Sequence, residues 1–436
     1  MNKRKDTRPA LFPDAGAAVK NGGIDSFQKE RADMLAYHEP FMISTPGQYS
    51  PICVSIGLHE PVDGELLREA VEELRTRFPY FYVRAARKDG ELRPVPNDLP
   101  MTVRGTWEPI NLNAAASNYH LAAWKYEGKR LAFEIPHFLT DGAGVLPYIK
   151  SAMYLYLSKA TGKRFDPTGF RLPGQPIPES EIGDPFPCLD IDGVKAPFYV
   201  KKPVSDFFRL TDETDHTQKV FYLKLSEEEV MRNCREQDGS PNVFFAVLLA
   251  RAARRYDPAS DKTFTIFVSI DHKAILGNHD NYRMFASQVP LDFPKSREGD
   301  ELSKACTIAR GKLMLLTQPE NSLWEMKLRK RMLPPPPLDI PQGTMCISYA
   351  NSRSFGPLDP YIDTVFFMTQ LLKVTDVLCE VTCINGHFFL AYMQPFTSER
   401  FLNCFLEELR LAGIGCELLG SEELHLCGIE PLDTAP

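Results

Sequence analysis

The chain has 436 residues, 43% hydrophobic and 25% charged, the composition of an ordinary folded protein rather than a disordered one. At about 150 residues per domain, this length allows two or three domains. Fifty basic side chains against 57 acidic ones leave a net charge of −7, which speaks against a general polyanion or nucleic-acid binder. No apolar run approaches the roughly 20 residues that span a bilayer. The basic amino terminus, MNKRKDTRPALFPDAG, has no apolar stretch behind it, so neither a membrane span nor a secretory signal is expected. Ten cysteines at irregular spacing read as reduced thiols of a cytoplasmic protein.

Residues 1–25 are charged, contain Pro and Gly and lack periodicity, which predicts a mobile tail. Residues 50–58 read as a strand, and 65–78 as a helix with Leu66, Leu67, Ala70, Val71 and Leu74 at helical spacing and Asp63 as N-cap. Pro79 ends that helix, and 80–86 resumes as an aromatic-rich strand. A strand over 131–138 leads through a short loop into a helix over 144–159, with Pro147 in its first turn.

Residues 161–205 carry many prolines and glycines and read as a connection between two halves. Beyond it, 219–225 is a strand and Ser226 to Glu229 forms a capping box. Helices are expected over 242–256, 301–317 and 398–412, and strands over 263–270, 364–369, 377–384 and 386–392. The proline run at 334–337 is a stiff extended break. Strands and helices interleave in both halves, which predicts an α/β or α+β fold in two lobes.

The sharpest local feature is HFLTDG at 137–142, where a strand ends and a loop turns into a helix. His137 is a general-base candidate, since imidazole titrates near neutrality. Asp141 could brace the loop by accepting a salt bridge from elsewhere, or simply cap the helix. Gly142 would supply a backbone conformation that a residue with Cβ resists. No GxSxG elbow, Walker loop or GxGxxG fingerprint is present. The pair His279–Asp280 lacks further ligands at metal-binding spacing, so no metal site is expected. Cys379 and Cys383 read as core thiols. The basic run Lys327 to Arg331 suits either a solvated face or the phosphates of coenzyme A.

The order of these features resembles the condensation-domain and alcohol acetyltransferase superfamily, to which chloramphenicol acetyltransferase-like enzymes and the plant BAHD acyltransferases belong. The resemblance runs from about residue 49 to about residue 411, on PVDGELLREAVEELRTRFP at 61–79, HFLTDG at 137–142 and EIGDPF at 181–186. More loosely, VSIDHK at 268–273 with NYRMF at 281–285, and ISYANSRSFG at 347–356, look like the family's later segments. Two departures stand out: Pro136 occupies the place of the first of two histidines in peptide-synthetase condensation domains, and the plant enzymes' DFGWG is absent.

The resemblance implies two chloramphenicol acetyltransferase-like lobes of mixed sheets flanked by helices, with an active-site tunnel between them. On this division, 26–165 is the amino-terminal lobe, 166–205 a bridge and 206–436 the carboxy-terminal lobe. It implies a cytoplasmic acyltransferase, monomeric, that moves an acyl group, typically acetyl, from a coenzyme A thioester to a hydroxyl or amine. His137 is the implied general base. Asp141 faces away from the substrate and pairs with a cation of the second lobe, Lys273 or Arg283. The oxyanion donor is a backbone N–H near Gly142 or a side chain among Ser348, Asn351 and Ser354. No cofactor is implied beyond acyl-coenzyme A as co-substrate, and no nucleic-acid partner. The competing readings are a free-standing condensation enzyme that takes its acyl group from a carrier protein, and a non-catalytic binding module of the same fold.

Overall fold

The computed structural model describes residues 51–88, 91–183, 191–200, 206–331, 341–350 and 354–430. The expected tail, the proline run and Asn351 lie outside the described residues.

The first half runs β1 (Pro51–Leu58), α1 (Gly64–Glu73), β2 (Val83–Lys88), β3 (Glu91–Pro96), β4 (Val103–Arg104), β5 (Ala123–Glu127), β6 (Arg130–Pro136) and α2 (Gly142–Thr161). Asp63 starts α1 as expected: its carboxylate accepts from the amides of Glu65 and Leu66 at 2.9 and 3.1 Å. The helix expected to reach residue 78 instead tightens into a 3-10 turn, Leu74–Thr76. Pro79 disfavours helical backbone at Phe78 and opens a second such turn, Pro79–Phe81, so the following strand begins only at Val83. Helix α2 starts two residues earlier than expected, which moves Pro147 out of the first turn and into the helix interior.

The second half follows a short helix in the bridge, α3 (Glu179–Ile182). It runs β7 (Thr214–Ser226), α4 (Glu227–Glu236), α5 (Pro241–Tyr256), β8 (Phe264–Asp271), α6 (His272–Leu276), β9 (Ala286–Phe293), α7 (Leu302–Leu316), α8 (Pro319–Arg331), β10 (Met345–Tyr349), β11 (Ile362–Thr369), β12 (Val377–Ile384), β13 (His387–Phe396), α9 (Arg400–Leu411) and β14 (Cys416–Glu423). Alternate residues of its strands, such as Ile266 and Val268 or Cys379 and Val381, pack with α5, α7 and α9 into one core, as a sheet covered on one face requires. Cys379 and Cys383 belong to that core, as expected.

A seven-stranded sheet, β14-β7-β13-β12-β10-β8-β9, organises the second half, and a five-stranded sheet, β11-β1-β6-β5-β4, the first. Strand β11 comes from the second half of the sequence yet pairs antiparallel with β1, with Val54 opposite Phe367. The chain end also returns to the first half, where the Leu112 amide donates to the Gly428 carbonyl at 2.7 Å. A division at residue 206 is therefore a division of sequence and not of space. The reason is register: β1 has β6 on one side and an open ladder on the other, which β11 fills.

The bridge does more than connect. Arg77 at the end of the first helical segment makes two parallel bonds to Glu181 of α3, at 2.6 and 2.7 Å. Arg171 reaches the same carboxylate at 2.9 Å, and the Tyr80 hydroxyl also donates to it. Arg77 and Glu181 are 3% and 1% exposed, so this is a desolvated, bidentate pair. Arg77→Ala leaves Glu181 without its fork partner and is expected to cost about 3–5 kcal/mol. The check is the urea midpoint, and an unchanged midpoint would show that the bridge does not depend on this contact.

Candidate active site

The loop between β6 and α2 is fixed from three directions by one carboxylate. Asp141 Oδ1 accepts from the Gly144 amide at 2.8 Å, which caps α2, and from Lys273 Nζ at 2.5 Å. Its Oδ2 accepts from the Phe285 amide at 2.8 Å. Bracing and capping, alternatives in the sequence, are both performed. Asp141 and Lys273 are 3% and 0% exposed, and a charge pair so buried holds only when its remaining bonds are made. They are: Lys273 Nζ also donates to the Arg283 carbonyl at 3.1 Å. Lys273 is thus the partner of Asp141, while the Arg283 guanidinium donates to the Ile182 carbonyl at 3.0 Å and ties the loop to the bridge.

Lys273 is placed by its own short helix. Asp271 caps α6 by accepting the Lys273 amide at 2.9 Å. Burial raises the Asp271 carboxyl above its usual range, opposed by Lys273 and reinforced by Asp141.

The glycine requirement falls on a different residue from the one expected. Gly142 has no left-handed backbone; it is the first residue of α2, and a Cβ there would meet Phe367 at 3.5 Å, an ordinary contact. Gly144 is the constrained position, because a Cβ there would lie 2.1 Å from the Tyr282 carbonyl oxygen. The loop carrying Tyr282 and Arg283 presses directly onto the first turn of α2, and the Thr140 hydroxyl donates to that same carbonyl at 2.6 Å.

His137 is the first residue beyond β6 and is partly accessible. Its Nδ1 is buried and finds no hydrogen-bond partner among the described residues. Asp141 does not orient the ring, since both its oxygens are engaged elsewhere. Among the described residues the arrangement is therefore an imidazole beside a locked loop, with no carboxylate on its Nδ1, and not a triad.

The remaining expected residues divide. Ser348, on β10, lies opposite Glu380 of β12 and hydrogen-bonds its carboxyl. Ser354 is structural: its hydroxyl donates to Asp359 at 2.7 Å and accepts the Gly356 amide at 2.7 Å. Lys327 is not free for phosphate, as its Nζ donates to the carbonyls of Asp192 and Val194 at 2.6 and 2.7 Å. Asp280 accepts from Arg171 at 3.0 Å, and among the described residues no group of three or more His, Cys, Asp or Glu is placed to hold a metal. No helix among them is long and apolar enough to cross a membrane.

Apart from Ser348, sequence reasoning missed the polar side chains on the inner face of the second sheet. Opposite the helix-covered core, that face carries Phe267, Ser269, Gln288, Ser348, Glu380 and Tyr222, all partly accessible. It looks across a seam at Phe366 and Met368 of the first sheet: the Tyr222 and Phe366 rings are 4.6 Å apart, and the Tyr222 hydroxyl donates to Met368 Sδ at 3.3 Å. Burial pushes the Glu380 carboxyl up to about 7, opposed by the Ser348 hydrogen bond. Its only signal in the sequence is a lone charge inside an apolar strand. A separate cleft of about 590 Å3 lies on the helix-covered side, and its cations are matched internally, Arg255 with Glu408 at 2.6 Å and Lys312 with Asp292 at 2.5 Å.

Neither a family model nor a curated protein sequence matches the chain significantly. Solved structures do match in fold. Polyketide synthase associated protein 5 from Mycobacterium tuberculosis aligns at TM-score 0.59 and 14% identity, over 83% of this chain and 94% of its own. TRI101 of F. sporotrichioides, solved with coenzyme A and T-2, aligns at TM-score 0.58 and 10% identity, over 88% and 97%. The epimerization domain from the third module of tyrocidine synthetase B aligns at TM-score 0.52 and 11% identity, over 84% and 90%.

Two substitutions separate the glycines. Gly144→Ala is expected to lower stability by about 1–3 kcal/mol, since backbone cannot yield as a side-chain tip can. Gly142→Ala should stay within about 1 kcal/mol of wild type, because alanine suits a helix better than glycine. Thermal denaturation of both reads the difference, and equal melting temperatures would refute the close approach. Lys273→Met should cost about 3–5 kcal/mol by stranding the Asp141 charge. A chemical denaturation midpoint equal to wild type would show that the pair contributes nothing.

Proposed function

Because the chain has the two-lobed fold of condensation-domain and chloramphenicol acetyltransferase-like proteins, we propose that it is an acyltransferase with His137 as general base. The observation that carries this reading is the imidazole itself, partly accessible at the end of β6 and next to a loop fixed by a buried ion pair. A base must be held still by groups other than the substrate and must keep a nitrogen lone pair for the proton it takes. The Asp141–Lys273 pair supplies the first condition without consuming the imidazole.

In the proposed reaction the donor is a coenzyme A thioester, acting as co-substrate, and the acceptor is a hydroxyl or amine. A structural neighbour of the same fold was solved with coenzyme A, which favours this donor over a carrier-protein thioester. His137 takes the acceptor proton as oxygen or nitrogen attacks the thioester carbonyl. The C–O or C–N bond forms, the C–S bond breaks as the tetrahedral oxyanion collapses, and the departing thiolate receives the proton from the imidazolium. Positioning of two substrates contributes more than the base, since effective molarities reach roughly 10⁵–10⁸ M. The amides of Gly142 and Ala143, in the opening turn of α2, are the backbone donors proposed for the oxyanion; those of Gly144 and Val145 are already bonded to Asp141.

His137→Ala tests the assignment. Thiol release from acetyl-coenzyme A, followed with a thiol reagent in the presence of a panel of alcohols and amines, should fall by about 10²–10⁴-fold. Melting temperature and coenzyme A affinity should stay near wild type, because no hydrogen bond of the fold is made by the buried Nδ1 among the described residues. Undiminished turnover in the variant would remove His137 from the chemistry.

A further inference from the structure

Glu380 is a carboxylic acid on the inner face of the second sheet, and no part of the mechanism above uses it. Cross-strand register puts Tyr222, Ala391, Glu380 and Ser348 in one row over four adjacent strands. With strands about 4.8 Å apart, the Tyr222 ring starts about 10 Å from the carboxyl. No Lys, Arg or His among the described residues pairs with Glu380; its polar partner is the Ser348 hydroxyl. The fully buried acids Asp141, Glu134, Glu181 and Asp376 are each met by a basic side chain, whereas the half-buried Glu380 is not. A carboxylate only partly exposed to water and without a cation is penalised in its charged form. A ligand that brings the cation would relieve that cost.

We infer that Glu380, supported by Ser348, anchors a positively charged nitrogen of the acceptor, so that the substrate class is an alcohol or amine carrying a basic amine. The inference rests on the proposed acyl transfer at His137, to which this row is joined through β10: a Cβ on Gly142 would lie 3.8 Å from that of Ala350, two residues beyond Ser348. The cation lies against the carboxylate, while the nucleophilic group extends toward the β6–α2 loop.

The ionisable groups around Glu380 leave it as the group of that row that changes charge near neutrality. Cys346, on the same face, and Cys379, next along β12, are held protonated by burial, with Glu380 contributing to both. Burial and Glu422 raise the Tyr222 hydroxyl well above its usual range. Cys53, on the facing surface of the first sheet, is raised likewise by burial. With Glu380 at about 7, its ionised fraction rises from roughly one-tenth to nine-tenths between about pH 6 and pH 8.

The test is calorimetry on the full chain with 6-amino-1-hexanol and 1-hexanol as probes, with no acyl donor present. Wild type should bind the ammonium alcohol at least tenfold more tightly than the neutral one at about pH 8. That preference should shrink about tenfold on lowering the pH to about 6. Glu380→Gln should abolish both the preference and its pH dependence. Ser348→Ala, which keeps the carboxyl and removes the hydrogen bond that favours its ionised form, should shift the pH midpoint upward. Equal affinities for the two probes, no binding of the ammonium alcohol at tens of millimolar, or a preference that survives in Glu380→Gln would each overturn the inference. Thiol release from acetyl-coenzyme A is measured in parallel. A cation preference without thiol release would sink the acyltransfer reading and leave the cation site standing; thiol release without a preference would do the reverse.

Discussion

The carboxylate of Asp141 holds the site together, because it is the point at which both halves of the chain meet. From the first half it caps α2 through the Gly144 amide; from the second it takes Lys273 Nζ and the Phe285 amide. Each bond by itself is modest, but a buried charge makes them interdependent, since losing one leaves the rest facing an uncompensated ion. The close approach of the Tyr282 carbonyl to Gly144 and the stacking of Tyr80 on Tyr282 at 4.1 Å belong to the same junction. Behind it, Glu181 gathers Arg77, Arg171 and Tyr80, so the bridge is clamped to the loop that the Asp141 pair fixes. His137 stands just in front of this junction and is free of it. A rigid support with an uncommitted base is the arrangement that proton abstraction needs.

The seam follows from how the two sheets share the chain. Strand β11 leaves the second half to complete the first sheet, and its alternation sends Val365 and Phe367 toward one side and Phe366 and Met368 toward the other. The latter pair meets Tyr222 and Phe389 of the second sheet. The second sheet is fully covered on its helix face and only partly filled on its inner face, where polar groups collect. The Asp141 junction and the seam are thus products of the same crossing.

Local features were legible wherever they depend on local rules. The Asp63 cap, the periodic face of α1, the loop at 137–142 and the strand and helix on either side of it follow from spacing and turn chemistry. Lys273 as the partner of Asp141 came through the family resemblance; no spacing rule links positions 132 residues apart. Gly142 was the natural glycine to favour because it follows Asp141 directly, yet the demand at Gly144 is set by a carbonyl from the other half, which no local pattern records. The exchange of β11 was hidden for the same reason: its sequence reads as a strand, and pairing is a property of the whole fold. Glu380 escaped because β12 otherwise reads as continuous core; a lone Glu between Cys379 and Val381 carries meaning only once its face is known.

The central claim is direct transfer of an acyl group between two bound substrates, with His137 as the base and no acyl-enzyme. Mass spectrometry of a single reaction mixture tests it most directly, measuring free coenzyme A, acetylated acceptor and intact protein together. The account predicts coenzyme A and acetylated acceptor in equal amounts, unmodified protein throughout, and both products formed about 10²–10⁴-fold more slowly in the His137→Ala variant. A stable acetyl group on the protein, or coenzyme A released at the same rate whether or not His137 is present, would contradict it.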